Sequence, residues 1–469
     1  MEGLSFGLKR FRNRYPPFAV AQGKVLFCPG TIHLRVAKGL ASPPEIADTF
    51  RRMRSAPLPI NPAAAWSALA ILSGLNMLNY LDRYVMSAVL TPMQKELRLS
   101  DGDAGWAASA FMLGYFVTAP LFGYLGDRFP RKYLMLGGVV VWSLATAGSG
   151  LAHGFLQLFA IRMVVGVGEA CFVTMGPSWI SDVFAATRRN TALTLFYVAI
   201  PFGSAIGFAI GGSFAQHGDW RGAFIYAGLP GLLLALSLLL LREPRRGQSD
   251  GIAGEAVPRA RAGEIAGLFL NRRYSLLVWG YAAQTFSIGA FGVWGPTFLH
   301  RIHGLSLDDS STIFGAMLAG TGLIATLLGG FLANALRRRT PAGYVWVMAL
   351  SMIAATPVCF FALLVGNATL SLVGLGTSMF FLFLPTGPIA SEIFEIVPVH
   401  LRSSAMAVCT FVIHLFGDFS SPTVVGNLSA HYGGDLQKAV LILPVVLIAG
   451  AALWCVLIRF TREPHKIEA

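Results

Sequence analysis

Apolar residues run along most of this chain for roughly twenty positions at a time, the length needed to cross the hydrocarbon core of a bilayer. Twelve such segments lie at about 66–90, 104–125, 133–151, 155–178, 191–215, 223–241, 276–299, 312–333, 344–365, 370–394, 403–426 and 440–458. A spanning segment must satisfy its backbone hydrogen bonds internally, so each is expected to be a helix. The pattern predicts an all-α membrane protein with twelve transmembrane helices in two pseudo-symmetric six-helix bundles.

The polar intervals organise those helices. Residues 242–272, "REPRRGQSDGIAGEAVPRARAGEIAGLFLNR", break the pattern with charge, Gly and Pro and read as a cytoplasmic linker. The expected domains are a basic tail over 1–60, a first bundle over 61–241, that linker, a second bundle over 273–462 and a short tail over 463–469. Arginine and lysine crowd the even-numbered loops, among them Arg128, Arg131, Lys132, Arg242, Arg273 and Arg337. The opposite loops hold only Lys95, Arg98, Arg221, Arg301 and Lys438. The positive-inside rule then places both termini in the cytoplasm, with the plasma (inner) membrane as the expected location. The loop "GYLGDRFPRK" (123–132) and its counterpart "GGFLANALRRRT" (329–340) share a leading glycine and a basic cluster, as expected of a duplicated six-helix unit.

Composition agrees and narrows the alternatives. The chain is 55% hydrophobic and 13% charged, and its mean hydropathy is +0.62. A water-soluble globule is excluded. The net charge of +13 reads mainly as topology, so no nucleic-acid partner is expected. Residues 1–60 are too polar to span and lack the uninterrupted apolar core of a secretory signal; a poorly ordered tail is expected there, with attraction to anionic lipid as the alternative. Met53 is a candidate second start. The five cysteines are scattered, which suggests neither a disulfide framework nor a metal cluster. No P-loop, His-Glu-x-x-His site or nucleophile elbow appears, so neither an enzyme nor an ATP-driven pump is supported, and no cofactor or metal is expected. The sequons at Asn367 and Asn427 fall in external positions.

Charges inside the spans carry the candidate chemistry, because each costs a few kcal/mol at the bilayer centre. "NYLDRYVMSAVL" (79–90) places Asp82 and Arg83 in the first span. At about 1.5 Å per residue, Asp82 and Arg162 of the fourth span come to nearly the same depth, which makes them candidates for a buried pair. Glu169 lies roughly 10 Å further along the same helix on nearly the same face, close enough to compete for Arg162. An arginine that changes carboxyl partner changes the proton affinity of both, so Asp82, Arg162 and Glu169 are candidate proton-coupling residues. A permanently paired network that fixes helix packing is the alternative. Arg83, about 100° around the helix from Asp82, is expected to aim elsewhere.

The second half offers His414 and Asp418 in the eleventh span, one turn apart and near mid-membrane. Either they hydrogen-bond locally, or His414 contacts a polar headgroup or titrates. Aromatic and amide side chains at Phe111, Tyr115, Phe196, Tyr197, Gln284, Trp294, Phe381 and Phe383 suggest a cavity suited to an amphiphile. Of these, Tyr115, Phe196, Tyr197, Gln284, Trp294 and Phe383, with His414, are the candidate substrate contacts. Gly295-Pro296 is an expected kink. Gly203, Gly207, Gly211 and Gly212 in the fifth span permit close helix approach.

Two resemblances follow from these stretches. Gly123, Asp127, Arg128, Arg131 and Lys132 in "GYLGDRFPRK" resemble the loop signature of the major facilitator superfamily, with Pro130 where that signature has glycine. The resemblance covers about residues 60–462 and implies a gating role for Asp127, Arg128, Arg131 and Lys132, with Asp182 at the end of the fourth span. "NYLDRYVMSAVL", "GVGEACF" (166–172), "FYVAIPFGSAIGF" (196–208) and "HLFGDFSSPTVVG" (414–426) together resemble the spinster family of sphingolipid and lysolipid transporters. That resemblance implies coupling roles for Asp82 and Glu169 and a functional role for His414. The expected protein is a monomeric secondary transporter working by alternating access, with an amphipathic or organic solute, protons and membrane lipids as partners. A proton-linked carrier of organic anions or hydrophobic drugs, and a non-transporting sensor on the same fold, are the other readings.

Overall fold

Helices take up nearly all of the computed structural model, which describes residues 19–21, 24–26, 62–184, 186–244, 262–398 and 401–462. In the expected tail, β1 (Ala19–Ala21) pairs antiparallel with β2 (Lys24–Leu26). The remainder of the tail, most of the linker and residues 463–469 lie outside the described residues.

The first half contains α1 (Pro62–Ala88), α2 (Leu90–Leu97), α3 (Asp101–Arg128), α4 (Arg131–Ser149), α5 (Phe155–Val183), α6 (Ala186–Gln216) and α7 (Trp220–Ser237). After α8 (Ala262–Gly267), the second half contains α9 (Arg272–His303), α10 (Leu307–Arg337), α11 (Gly343–Leu364), α12 (Ala368–Phe383), α13 (Thr386–Ile396), α14 (Arg402–Ile413), α15 (Ser420–His431), α16 (Leu436–Val440) and α17 (Ile442–Arg462). Among the described residues, ten helical segments are long and apolar enough to cross a membrane by themselves. The other two spans are α1, diluted by Asn76, Asn79, Asp82 and Arg83, and the short, glycine- and serine-bearing α4.

Three spans depart from the uniform helices expected. The first breaks at Val89, and α2 follows as a separate short helix. The tenth divides at Leu384-Pro385 into α12 and α13. The eleventh carries a π-helical turn, His414–Phe419, between α14 and α15. Pro296 is accommodated inside a continuous α9.

Packing repeats between the halves. In the first, α1 lies along α6, α3 along α5, and α4 between α5 and α7; in the second, α9 lies against α14, α15 and the π turn, α10 against α12, and α11 between α12 and α17. The halves meet where α3 crosses α15 and α6 crosses α10, two contacts that exchange under the same pseudo-symmetry. The glycines of α6 serve this packing. A side chain at Gly207 would put its Cβ 2.5 Å from the Leu81 carbonyl of α1, and Gly203 and Gly211 face α1 in the same way.

α2 ends at Arg98, which holds φ 55° in the left-handed region favoured by glycine. That conformation costs a residue with a Cβ roughly 1–2 kcal/mol. Arg98→Gly is expected to stabilise the fold by about 1 kcal/mol, read as a higher midpoint of thermal unfolding in detergent. Next to it, Glu96 accepts from Trp220 Nε1 at 2.6 Å and from Arg221, which also reaches the carbonyls of Gly150 and Ala152. The Trp220 and Arg221 hydrogen bonds hold the Glu96 carboxyl below its ordinary value. Because the folded value is the lowered one, this contribution is complete above the unfolded-state value and fades as pH falls through the folded one. Glu96→Gln is therefore expected to flatten the acid limb of the stability profile, by a small amount because the pair is solvated.

Candidate functional site

Asp82, Arg162 and Glu169 are buried at the centre of the first half, and Arg83 beside them is partly buried. Arg83 of α1 donates to Glu169 Oε2 of α5 at 2.9 Å, and the Glu169 side chain is fully buried. The Arg83 guanidinium also stands over the rings of Tyr80, 4.7 Å away, and Phe111, 4.5 Å away. Arg162 approaches the same Phe111 ring at 5.7 Å, so one phenyl group is wedged between two cations. Asp82, only 1% exposed, turns toward Thr146 and Trp142 of α4 and is influenced by Arg162.

The expected cluster of Asp82, Arg162 and Glu169 is thus assembled, with different pairing. No salt bridge joins Asp82 to Arg162; the ion pair runs from Glu169 to Arg83, the residue expected to aim elsewhere. The reason is direction. Side chains lean toward the N-terminus of their helix, and α1 and α5 are antiparallel, so Arg83 and Glu169 lean toward each other along the axis. A charge in a span needs a partner, and that signal applied to Arg83 as much as to Asp82.

Across from this cluster, His414 Nδ1 and Asp418 Oδ2 are 2.7 Å apart, so the local pair is present. The π turn that carries it sits where π turns frequently mark function. Asp418 is near enough to influence Tyr80 and Tyr84 of α1, and His414 lies 6.2 Å from the Phe116 ring of α3. Tyr80 is thus within electrostatic reach of Arg83 and Glu169 in one half and of Asp418 in the other.

The candidate substrate contacts divide by burial. Tyr115 and Phe383 are half-buried and Tyr197 is exposed. Phe196, Gln284 and Trp294 are packed away, each no more than 2% exposed. Phe196 stacks on Phe172 in the core of the first half, Gln284 donates to the Leu382 carbonyl, and Trp294 Nε1 donates to the Pro422 carbonyl at 3.1 Å. These three leave no surface for a solute in this conformation, a correction to their expected role.

The basic end, marked by Arg131, Arg273 and Arg337, carries the expected gating residues. Arg131 pairs with Asp182 at 2.6 Å and contacts Glu243, while Lys132 Nζ donates to the carbonyls of Leu239 and Leu241. Arg128 lies on the Tyr124 ring at 3.5 Å. The side chain of Asp127 lies outside the described residues. Apart from Glu243, at the start of the linker, these residues belong to the first half; Arg273–Glu392 and Arg337–Glu395 are pairs inside the second.

Among the described residues, a polar link between the halves that the sequence reading did not single out sits at the opposite end. Asp101, at the start of α3, receives Arg301 of α9 through both terminal nitrogens at 2.9 Å, Gln94 at 2.7 Å and Ser429 of α15 at 2.6 Å. Ser109 and Thr423 add hydrogen bonds between α3 and the eleventh span, and Gln216 accepts from Leu307 N at 3.1 Å.

Comparison with known proteins fits this architecture. The family model of the Major Facilitator Superfamily matches residues 72–422. The chain is similar to Protein spinster homolog 3 of Danio rerio, 33% identical over 437 residues that cover 87% of each chain. It is also similar to Protein spinster homolog 1 of Rattus norvegicus, 34% identical over 383 residues that cover 77% of this chain and 72% of the relative. Among solved structures, a bacterial homolog to human lysosomal transporter, Spinster, in an inward-facing and unoccupied conformation, superposes with TM-score 0.78, 23% identity and coverage of 86% of this chain and 99% of that one.

Proposed function

The chain belongs to the Major Facilitator Superfamily and, within it, to the spinster family, and from that premise we propose that it moves an amphipathic, lipid-like solute in exchange or company with protons. It is a multi-pass membrane transporter, not an enzyme. The proposed moving bodies are residues 61–241 and 273–462, with the basic end and both termini cytoplasmic and the plasma (inner) membrane as the location. On that orientation the hydrogen bonds between the halves close the external end, and the space between them opens inward.

The observation that carries the reading is the Arg83–Glu169 pair, largely buried beside Tyr80 and Phe111, with Tyr80 also within electrostatic reach of Asp418 in the second half. A buried ion pair is costly unless it remains fully compensated. A proton arriving at Glu169 removes one charge and frees Arg83 to meet an anionic headgroup, while the surrounding rings suit an apolar body. Proton and solute then bind to one network, the condition for coupling. Asp82 and Arg162, behind Phe111, would transmit or restrain that change, and Tyr115, Tyr197, Phe383 and His414 would line the solute's path.

The test is flux of labelled sphingosine-type lipids, lysophospholipids and small organic anions in proteoliposomes, with and without an imposed pH gradient. Lipid flux that rises with the gradient is expected. Organic-anion flux without lipid flux would replace the substrate reading and leave the transporter reading standing; ligand binding without any flux would make the protein a sensor.

A further inference from the structure

We infer that the outer, membrane-facing side of the second half holds a resident anionic glycerophospholipid, separate from the space between the halves. A cavity of about 410 Å³ lies between α9, α17 and the π turn. Its walls include Trp279, Ala283 and Phe286 of α9, Phe416 of the π turn, and Val446 and Leu453 of α17. The single polar side chain in its lining, Ser275, already donates to the Phe269 carbonyl at 2.7 Å. Nothing in the cavity asks for a polar ligand.

Its mouth does. Arg272, Ser275, Trp279, Ala283 and Phe286 recur every three or four residues, so Arg272 heads the helix stripe that forms the wall. Trp454 Nε1 donates to the Leu277 carbonyl at 3.1 Å, which fixes the register of antiparallel α17 against α9. Counting five residues from each toward the basic end brings Arg272 and Arg459 to the same height, and both are exposed. Phe269 and Leu270, 43% and 86% exposed, lie just beside them as an apolar edge at the membrane interface. From Ser275 to Phe286 the wall rises roughly 16 Å, close to the hydrocarbon depth of one leaflet. A slot of that depth beneath Arg272, with Arg459 at the same height on the adjoining lipid-facing side of α17, matches an acyl chain beneath a phosphate.

The slot backs onto the transport space. Trp279 and Phe416 pack at 4.9 Å on its face, while His414 and Asp418, on the other side of the same turn, look toward Phe116 and Tyr84. An acyl chain in the slot therefore supports the π turn from behind without entering the path of the solute.

Photoactivatable phosphatidylglycerol and phosphatidylcholine, each with the reactive group on the acyl chain, test this in proteoliposomes of the full chain, with labelled peptides mapped by mass spectrometry. Label is expected on 275–286 and 446–453, with phosphatidylglycerol favoured. Arg272→Ser is expected to lower phosphatidylglycerol labelling there about fivefold, toward the phosphatidylcholine level. Ala449→Phe and Ala283→Leu, which fill the slot from opposite walls, are expected to remove both labels there while retaining the wild-type melting temperature. Label spread evenly over all spans, equal labelling by the two lipids, or slot labelling that survives both filling variants would each overturn the assignment. So would label concentrated at Phe116 and His414, which would make the lipid a solute and not a resident.

Discussion

Glu169→Gln is expected to abolish the response of transport to a pH gradient while leaving solute exchange measurable. The Glu169 side chain is fully buried and holds Arg83 at 2.9 Å, so the amide removes the charge without changing the shape. It also fixes the site in the form that a bound proton would create. Coupling requires a group whose protonation differs between the two conformations, and glutamine cannot differ. Gradient-driven accumulation should fall to the level reached by downhill equilibration alone. Downhill exchange should survive within a few-fold. Asp82→Asn provides the contrast, because Asp82 is turned toward Thr146 and Trp142 of α4 and away from the second half. It is expected to lower the melting temperature more than it lowers coupling. If Glu169→Gln keeps full gradient-driven accumulation, the Arg83–Glu169 pair is architecture and the proton enters elsewhere.

Much of this site was legible from sequence because the cost of charge in lipid is blind to tertiary detail. Asp82, Arg162 and Glu169 had to be placed among helices, and depth along two antiparallel spans brought them into one neighbourhood. Depth did not reveal which way α1 is rotated, and the choice between Asp82 and Arg83 as the partner of α5 depends on that rotation. The spans themselves were found by hydropathy. The break at Val89, the division at Leu384-Pro385 and the π turn at His414–Phe419 were not, because each is settled by contacts with other helices. Aromatic composition likewise does not separate a cavity wall from a core: Tyr197 is exposed while neighbouring Phe196 is buried. The loop signature drew attention to Arg131 and Asp182, whose pair joins helices of one half. Of the pair Asp101–Arg301, which joins the halves, Arg301 reads in the sequence only as a loop charge, and Asp101 is not singled out.

Those two residues support the other large prediction. Asp101 accepts four hydrogen bonds from Gln94, Ser429 and both terminal nitrogens of Arg301, and Arg301 returns one to Gln94 Oε1 at 2.9 Å. The geometry is the forked arginine–carboxylate contact, the strongest of the common ion pairs. Asp101 also opens α3, where the helix dipole favours an anion, and Arg301 lies in the last turn of α9, where it favours a cation. Separating the halves at this end must strip the Arg301 and Ser429 contacts at once, whereas the pairs Arg131–Asp182, Arg273–Glu392 and Arg337–Glu395 at the basic end each lie within one half. Arg301→Ala should therefore destabilise the conformation seen here, by roughly 3 kcal/mol, and shift the balance toward opening at the Asp101 end about a hundredfold. Thr423→Cys, at a buried position on the joint, reports the shift when the native cysteines are replaced. Its reaction with a membrane-impermeant maleimide applied from the Asp101 side should accelerate by about that factor in the Arg301→Ala background. Turnover should fall, because the closed state is harder to regain. An unchanged labelling rate with an unchanged melting temperature would show that Asp101 and Arg301 do not hold this end shut, leaving the helix contacts of α3 with α15 and α6 with α10 to do so.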